Sequence, residues 1–232
     1  MTTRLKPMLI AAVCILAISA CNSKQQLVEV VAEAAKPVAQ AAAVKPEPAA
    51  TTESFLLETA VKQRDTFESL QKQYGDTHII KSELPGAEGE TSQGWIIYPN
   101  DPEKKLMLYL DKGNTHPGSL LVDEAKSKWH LSNSIKLGTD IKTLEKLNGK
   151  TFSFYGFDWD YGGVIIEWNG GELGKKTSDG SGFSIHLCPP EDSKLPDNYL
   201  VGDQTFKSDN PLAQKFPPVV CRLGVSIPDE KK

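Results

Sequence analysis

The residues best suited to chemistry fall in one stretch, residues 152–163, where six of twelve positions are aromatic. Asp158 and Asp160 alternate with the aromatic residues, which places both carboxylates on one face of a strand or loop. A pair of carboxylates can act as the acid and base of a glycosidase, but only when the two lie in different environments within a cleft. A calcium loop of the EF-hand type would also need a glutamate at its last position, which is missing here. The pair is therefore typical of turn or surface carboxylates.

The same stretch contains candidate binding residues. Trp and Tyr supply much of the energy at hot spots of protein interfaces, so Tyr155, Trp159 and Tyr161 are the candidate binding residues. The phenylalanines of the stretch are expected to pack inward beneath a helix, Phe152 and Phe154 by strand alternation. An alternative interpretation places all six aromatic residues in the core, and the sequence leaves both open.

Other signals of catalysis are weak. No H-E-x-x-H or paired Cys/His spacing suggests a metal, and no G-x-S-x-G motif suggests a serine hydrolase. The glycine-rich stretches lack the strand-then-helix context of phosphate loops. We therefore expect no catalytic residues, no metal and no cofactor, and the pattern favours a binding protein over an enzyme. The histidines occur singly, at His78, His116, His130 and His186.

The N-terminal residues resemble a bacterial lipoprotein signal. A positive segment precedes an apolar run at residues 8–17, and residues 18–20 lead to Cys21. The run is about half the ~20 residues that a bilayer crossing needs, which predicts a cleaved signal rather than a transmembrane helix. Cleavage as a plain secreted protein would favour a small residue where Ile18 stands. We expect a signal peptide at residues 1–20 and acyl chains, such as palmitate, on Cys21.

A tether is expected between the lipid and the folded domain. Residues 21–53 are rich in Ala and Pro and contain no aromatic residue, and about 30 such residues would reach roughly 30 Å. The folded domain then spans residues 54–232. Asn22 favours the outer membrane, with the domain facing the periplasm or exposed on the cell surface, because Asp at this position resembles an inner-membrane retention signal.

The formal net charge is −4, and no basic stripe with interleaved aromatic residues occurs. Nucleic acid is therefore not an expected partner. Cys188 and Cys221 remain once the signal and the lipidated cysteine are set aside, and an even pair in an oxidising compartment predicts a disulfide. It would close a loop of roughly 33 residues and contribute about 3–4 kcal/mol. A redox or nucleophilic role is disfavoured, because Arg222 is the one basic neighbour and no C-x-x-C occurs.

An internal similarity relates residues 61–77 to residues 135–151, which align without a gap. In each segment an apolar stripe predicts a helix of about ten residues. Gly75 and Gly149 follow, at the position where a positive φ ends a helix. The segments predict a repeated unit, and the alternative is two unrelated amphipathic helices that each end in glycine.

The predicted helices are Asp65–Tyr74, with Asp65 as its N-cap, and Asp140–Leu147, with Thr139 or Asp140 as its N-cap. A further helical turn is expected at Asn210–Lys215. The fold class is therefore α+β, with two helix-plus-antiparallel-sheet repeats at 61–110 and 135–168 and a C-terminal β extension. The predicted strands are His78–Lys81, Trp95–Tyr98, Leu106–Leu110, Leu120–Asp123, Lys128–Leu131, Thr151–Tyr155, Val164–Trp168, Phe183–Cys188 and Val219–Ile227.

Two resemblances follow from these features. The sequences LEKLNGK at 144–150 and GFDWDYGG at 156–163, behind the lipidation signal, resemble a group of uncharacterised bacterial lipoproteins. The helix followed by a hairpin sheet, used twice, resembles the small outer-membrane assembly lipoproteins and the β-lactamase-inhibitor proteins. The latter resemblance implies a protein that binds other proteins and has no catalytic residues. The proline-rich segment after Cys188 departs from both patterns.

The sequence thus predicts a lipid-anchored envelope module that binds another envelope protein. The alternative is a hydrolase of an envelope polymer, with Asp158, Asp160 and His186 as its candidate residues. A spacer between membrane and cell wall is a third option, without a wall-binding motif to support it. A concave pocket holding a carboxylate of shifted pKa would favour the enzyme, and a flat exposed aromatic face would favour the binding protein.

Overall fold

Short helices and two antiparallel sheets make up the computed structural model, which describes residues 54–175, 181–191 and 194–227. The expected signal peptide, Cys21 and the tether lie outside the described residues. Within these ranges, no helix has both the length and the apolar character needed to span a membrane. The helices are α1 (Leu57–Ala60), α2 (Phe67–Tyr74), α3 (Ile141–Asn148) and α4 (Pro211–Lys215).

In the described part of the chain, nine strands form two sheets, and every pairing between neighbouring strands is antiparallel. The larger sheet has six strands in the order β1-β2-β3-β4-β9-β7, and the smaller has three in the order β6-β5-β8. The α+β class is confirmed, with strand more abundant than helix. The strands are β1 (Ile79–Pro85), β2 (Thr91–Ile97), β3 (Leu106–Leu110), β4 (Pro117–Val122), β5 (Ser153–Tyr155), β6 (Ile165–Glu167), β7 (Gly182–Cys188), β8 (Thr205–Lys207) and β9 (Val219–Ser226).

The core lies on one face of the larger sheet, which we call the inner face. A row of residues crosses five strands there in register: Trp95, Leu108, Leu120, Val225 and Phe183. The first four are at most 5% exposed, and burying each such side chain stabilises the fold by about 1.5–3 kcal/mol. Because side chains alternate along a strand, the residues between them face the opposite, outer face.

The N-caps of the two longer helices decide where each helix begins. Thr66 caps α2, because its side chain accepts from the backbone N–H of Ser69 while the Ser69 side chain accepts from the Thr66 N–H. The prediction of Asp65 as this cap was wrong by one residue: its carboxylate accepts instead from the N–H of Lys62 at 2.8 Å. Asp140, one of the two candidates, caps α3.

The segments of the proposed repeat share some local features. Each is a helix that ends at a glycine of positive φ, +98° at Gly75 and +70° at Gly149. Each helix leads into an antiparallel strand pair, β1–β2 in the larger sheet and β5–β6 in the smaller one. The strands of the first pair have seven residues each, and those of the second have three. Because sheet and strand length differ, the repeat stays a prediction.

The predicted strand at Lys128–Leu131 was wrong. Within it, only His130 forms isolated bridges, to Leu56 and Lys136. Trp129 is 2% exposed, and its indole N–H donates to the carbonyl of Lys104 at 2.7 Å. The apolar residues of this segment therefore reflect a loop that packs into the core.

Cys188 and Cys221 form a disulfide, with their Cα atoms 5.6 Å apart. The bond joins β7 to β9 beside the bulge in their pairing, which falls between His186 and Leu187. The two C-terminal strands thus extend the larger sheet next to β4, and the disulfide fastens the pair at one end.

Candidate binding groove

A groove of about 590 Å³ lies on the outer face of the larger sheet. Its floor follows from strand register. Ser119 of β4 pairs with Ser226 of β9, which pairs with Gly182 of β7, and the next row contains Gly224 and Ser184. These residues alternate along their strands with the buried residues of the inner face. Their side chains are small, so this part of the outer face is recessed relative to the larger side chains around it.

The turn between β1 and β2 forms the first wall. The hydroxyl of Tyr109 on β3 donates to the carbonyl of Pro85 at 2.7 Å, which ties the turn to the sheet. Leu84 packs over Gly94 so closely that a Cβ at Gly94 would lie 2.3 Å from Leu84 Cδ1. Glycine at this position therefore leaves the space that the Leu84 side chain occupies. Tyr109, Pro85 and Gly86 all line the groove.

The second wall is the segment 156–163, which we call the aromatic loop. Its C-terminal end is fixed to β7, because the Leu187 N–H donates to the carbonyl of Gly163 at 2.8 Å. Val164 then bridges to His186. Gly163 has φ +77°, and a Cβ there would lie 1.8 Å from the Leu187 carbonyl oxygen. Only glycine permits the loop to approach β7 this closely.

The aromatic residues of this stretch separate into a buried group and a more exposed group. Phe152, Phe154 and Phe157 are at most 4% exposed, whereas Tyr161 is 40% exposed. Tyr155 and Trp159 are half-buried. The inward position of the phenylalanines and the outward position of the other three therefore occur together.

Tyr155, Trp159 and Tyr161 form a continuous aromatic cluster. The ring of Trp159 lies edge-on to both neighbours, with centroid distances of 5.1 Å to Tyr155 and 5.4 Å to Tyr161. The Trp159 indole N–H donates to the carbonyl of Gly156 at 2.8 Å. Tyr161 is the member of the cluster that lines the groove. Trp159 therefore packs against Tyr161, and Tyr155 packs against Trp159.

Side chains of both charge signs and a histidine line the groove. Arg222 of β9 pairs with His186 of β7, and both line it together with Asp160 of the aromatic loop. Burial, and to a smaller extent the charge of Arg222, lowers the pKa of His186 to about 4, so its imidazole is neutral at neutral pH. Burial raises the pKa of Tyr109, and the charge of Arg222 lowers it in part.

Asp158 does not line the groove. It is exposed and has φ +66°, a left-handed conformation that aspartate adopts more readily than most residues. The structure thus separates the two carboxylates of the sequence pair, with Asp160 in the groove and Asp158 in the turn. Among the described residues, no group of three or more His, Cys, Asp or Glu side chains could hold a metal ion.

Tyr109, Arg222 and the small residues of the floor were not among the residues predicted from the sequence to form a site. The local signal was present, since Gly182-x-Ser184 and Gly224-x-Ser226 both place small residues at alternate positions of strands. What brings them together is the pairing of β4, β9 and β7, which are far apart in the chain.

Comparison of the chain with models of protein families, with curated proteins and with solved structures found no significant match. The groove, its charges and its aromatic rim are therefore the basis on which function can be argued.

Proposed function

We propose that the protein is a lipid-anchored module of the bacterial cell envelope, which binds another envelope protein through the groove. The observation that carries this proposal is the groove itself, at about 590 Å³. Binding sites typically have volumes of ~300–1,000 Å³, mostly apolar linings and a few placed polar groups. The lining here has that composition, with Tyr109, Tyr161 and Arg222 among its residues. Tyr and Arg are residue types that contribute strongly to interface hot spots.

A hydrolase of an envelope polymer is the second candidate, because Asp160 and His186 line the same groove. A general base works best when its pKa lies near the working pH. The pKa of His186, at about 4, leaves the imidazole a weak base at neutral pH. This favours the binding function. Release of soluble fragments from purified cell wall, lost on Asp160→Asn, would favour the hydrolase instead.

Co-isolation from cells tests the binding function with the full lipidated chain. Ser184 is exposed on the floor of the groove, so Ser184→Phe should fill the groove without disturbing the core. Ser92→Phe is the matched control, because Ser92 is also exposed on a strand but does not line the groove. We expect the wild type and the control to retain one envelope partner that Ser184→Phe loses. Retention by Ser184→Phe would contradict the proposal.

The lipid anchor is supported by the signal that leads to Cys21. Stable anchoring needs about two acyl chains or more, and a lipoprotein cysteine carries that many. We expect a fatty-acid analogue to label the wild type and not Cys21→Ala, which should be released from the membrane fraction. Label persisting in Cys21→Ala would exclude this anchor.

Both proposed repeat units, residues 61–110 and 135–168, contribute residues to the lining of the groove. We propose that they derive from one duplicated helix-plus-sheet unit. The first contains Pro85 and Tyr109, and the second contains Asp160 and Tyr161. Each unit thus contributes one wall, and the partner would contact both. The glycines at the helix ends offer a stability test of this similarity.

A further inference from the structure

The positive charge of Arg222 in the groove is not neutralised by an ion pair within the described ranges. Arg222 is exposed on β9, and no carboxylate of those ranges lies within ion-pairing distance of its guanidinium. Arginine presents only donors, in a planar fork that matches a carboxylate. His186 of β7, which pairs with Arg222 in the sheet, is neutral at neutral pH and adds no negative charge.

Two carboxylates lie close to Tyr161, which lines the groove. Asp160 belongs to the aromatic loop, and Glu88 of the β1–β2 turn accepts a hydrogen bond from Tyr161. Both carboxylates raise the pKa of the Tyr161 hydroxyl, the charge of Glu88 more than that of Asp160. An anionic group is therefore repelled at Tyr161 and attracted at Arg222. The electrostatic environment therefore differs between these two lining residues.

We propose that the groove binds an extended peptide segment with apolar side chains and one acidic side chain, whose carboxylate pairs with Arg222. This inference rests on the proposed function and specifies the chemistry of the partner segment. The groove is open rather than enclosed, so a chain can pass through it without ending there. An acidic side chain, rather than a chain terminus, is thus the source of the carboxylate.

The lining favours a peptide over a sugar. Most of it is apolar, including Leu121, Val164 and the rings of Tyr109 and Tyr161. Its serines are partly engaged already, since the Ser226 hydroxyl exchanges hydrogen bonds with the backbone of Gly182. A sugar would need partners for most of its hydroxyls, whereas apolar side chains of a peptide need only contact.

Calorimetry on the full-length protein in detergent tests this pairing. The probes are acetyl-Ala-Leu-Glu-Leu-Ala-amide and its glutamine counterpart, which has the same shape and no charge. We expect the glutamate peptide to bind at least about fivefold tighter, because a charge-assisted hydrogen bond is stronger than a neutral one. Arg222→Gln should abolish the difference. Lys142→Gln, which removes an equal charge from an exposed position of α3 outside the groove, should retain it.

A second measurement reports the position of the bound carboxylate. A negative charge beside Arg222 favours the protonated imidazole, so the glutamate peptide should raise the pKa of His186 from about 4. NMR of labelled histidine, assigned with His186→Gln, gives this value. Arg222 pairs with His186 and affects its pKa, and Tyr109 and Asp160 are the other titratable side chains near it in the groove lining with Tyr161. The amide-blocked glutamine peptide controls for changes in their burial.

Several results would overturn the inference. These are equal binding of the two peptides, a glutamate preference that survives in Arg222→Gln, and tighter binding of a glutamine peptide with a free carboxyl terminus. Binding of an N-acetylglucosamine trisaccharide in the absence of peptide binding would also overturn it. None of these results decides the proposed function, because capture of a partner in cells is measured separately with Ser184→Phe.

Discussion

The hydroxyl of Tyr161 donates a hydrogen bond to Oε1 of Glu88 at 3.3 Å and joins the two walls of the groove. The residues are 73 positions apart in the chain, and they belong to the aromatic loop and the β1–β2 turn. Both are exposed, so the bond contributes little to stability. It marks a place where the two walls come into direct contact.

The attachment of the aromatic loop to β7 can be tested at two glycines of equal φ. Gly163 and Gly89 both have φ +77°. A Cβ at Gly163 would lie 1.8 Å from the Leu187 carbonyl oxygen, whereas a Cβ at Gly89 would have no atom within 4 Å. Gly89→Ala should cost about 1 kcal/mol, from backbone conformation alone. Gly163→Ala should cost at least about 3 kcal/mol, because the loop must move away from β7.

Chemical denaturation of the two variants provides the comparison. If Gly163→Ala were no more destabilising than Gly89→Ala, the loop would not be held against β7 as described.

Trp159 links packing to binding, because it lies between Tyr155 and Tyr161 and is half-buried. Trp159→Ala should lower the free energy of unfolding by about 2 kcal/mol, below the ~3–5 kcal/mol of a fully buried aromatic residue. It should also weaken partner binding, since Tyr161 loses its support. Trp159→Phe keeps a ring and removes the hydrogen bond to Gly156, so it should cost about 1 kcal/mol.

Thermal or denaturant unfolding, measured beside partner capture, separates the two effects. A loss of stability in Trp159→Ala with unchanged capture would show that the cluster is packing alone.

The glycines at the ends of α2 and α3 should differ in their tolerance of substitution. Gly149 has φ +70° and ψ 1°, a left-handed conformation that asparagine also adopts. Gly75 has φ +98° and ψ 142°, a region nearly restricted to glycine. Gly149→Ala should cost about 1 kcal/mol and Gly149→Asn less, whereas both changes at Gly75 should cost about 1–3 kcal/mol.

Equal costs at the two sites would contradict this difference in backbone conformation, and a cost near zero at either site would count against the glycine helix end that the two proposed repeat units share. The measurement is denaturant unfolding of the four variants.

Protonation of His186 should destabilise the fold in acid. Its pKa is lowered from 6.5 to about 4 by burial first and Arg222 second. Between these values the unfolded state binds more protons than the folded state, so stability is present above pH 6.5 and is lost as pH falls toward 4. Allowing for partial exposure, the loss is about 1–3 kcal/mol.

His186→Gln, which cannot titrate, is the control for the acidic groups that protonate over the same range. The wild type should lose more stability than the variant between pH 7 and about pH 4. Parallel pH profiles would show that the imidazole is not buried.

Local patterns in the sequence predicted the local structure well. Residue alternation accounts for the burial of Phe152 and Phe154, and glycine marked the ends of both longer helices. These features depend on neighbours in the chain. Leu106–Leu110 was predicted with its observed bounds, because a turn and an apolar run define it locally.

The groove could not be predicted, because it depends on pairing between distant strands. Ser119, Ser226 and Gly182 come together only when β9 inserts between β4 and β7. β8 was missed for a similar reason: its residues lie in a proline- and aspartate-rich segment and become a strand through pairing with β5. At Lys128–Leu131, core packing of a loop produced an apolar pattern like that of a strand.

The central claim is that the groove is the surface that contacts the envelope partner. A photoreactive phenylalanine analogue at position 161 tests it most directly, with position 166 as control. Tyr161 and Ile166 are 40% and 41% exposed, but only Tyr161 lines the groove. After illumination of living cells, we predict one discrete cross-linked product from position 161, absent in the background of Ser184→Phe, and none from position 166. The same product from both positions, or one that survives Ser184→Phe, would contradict the claim.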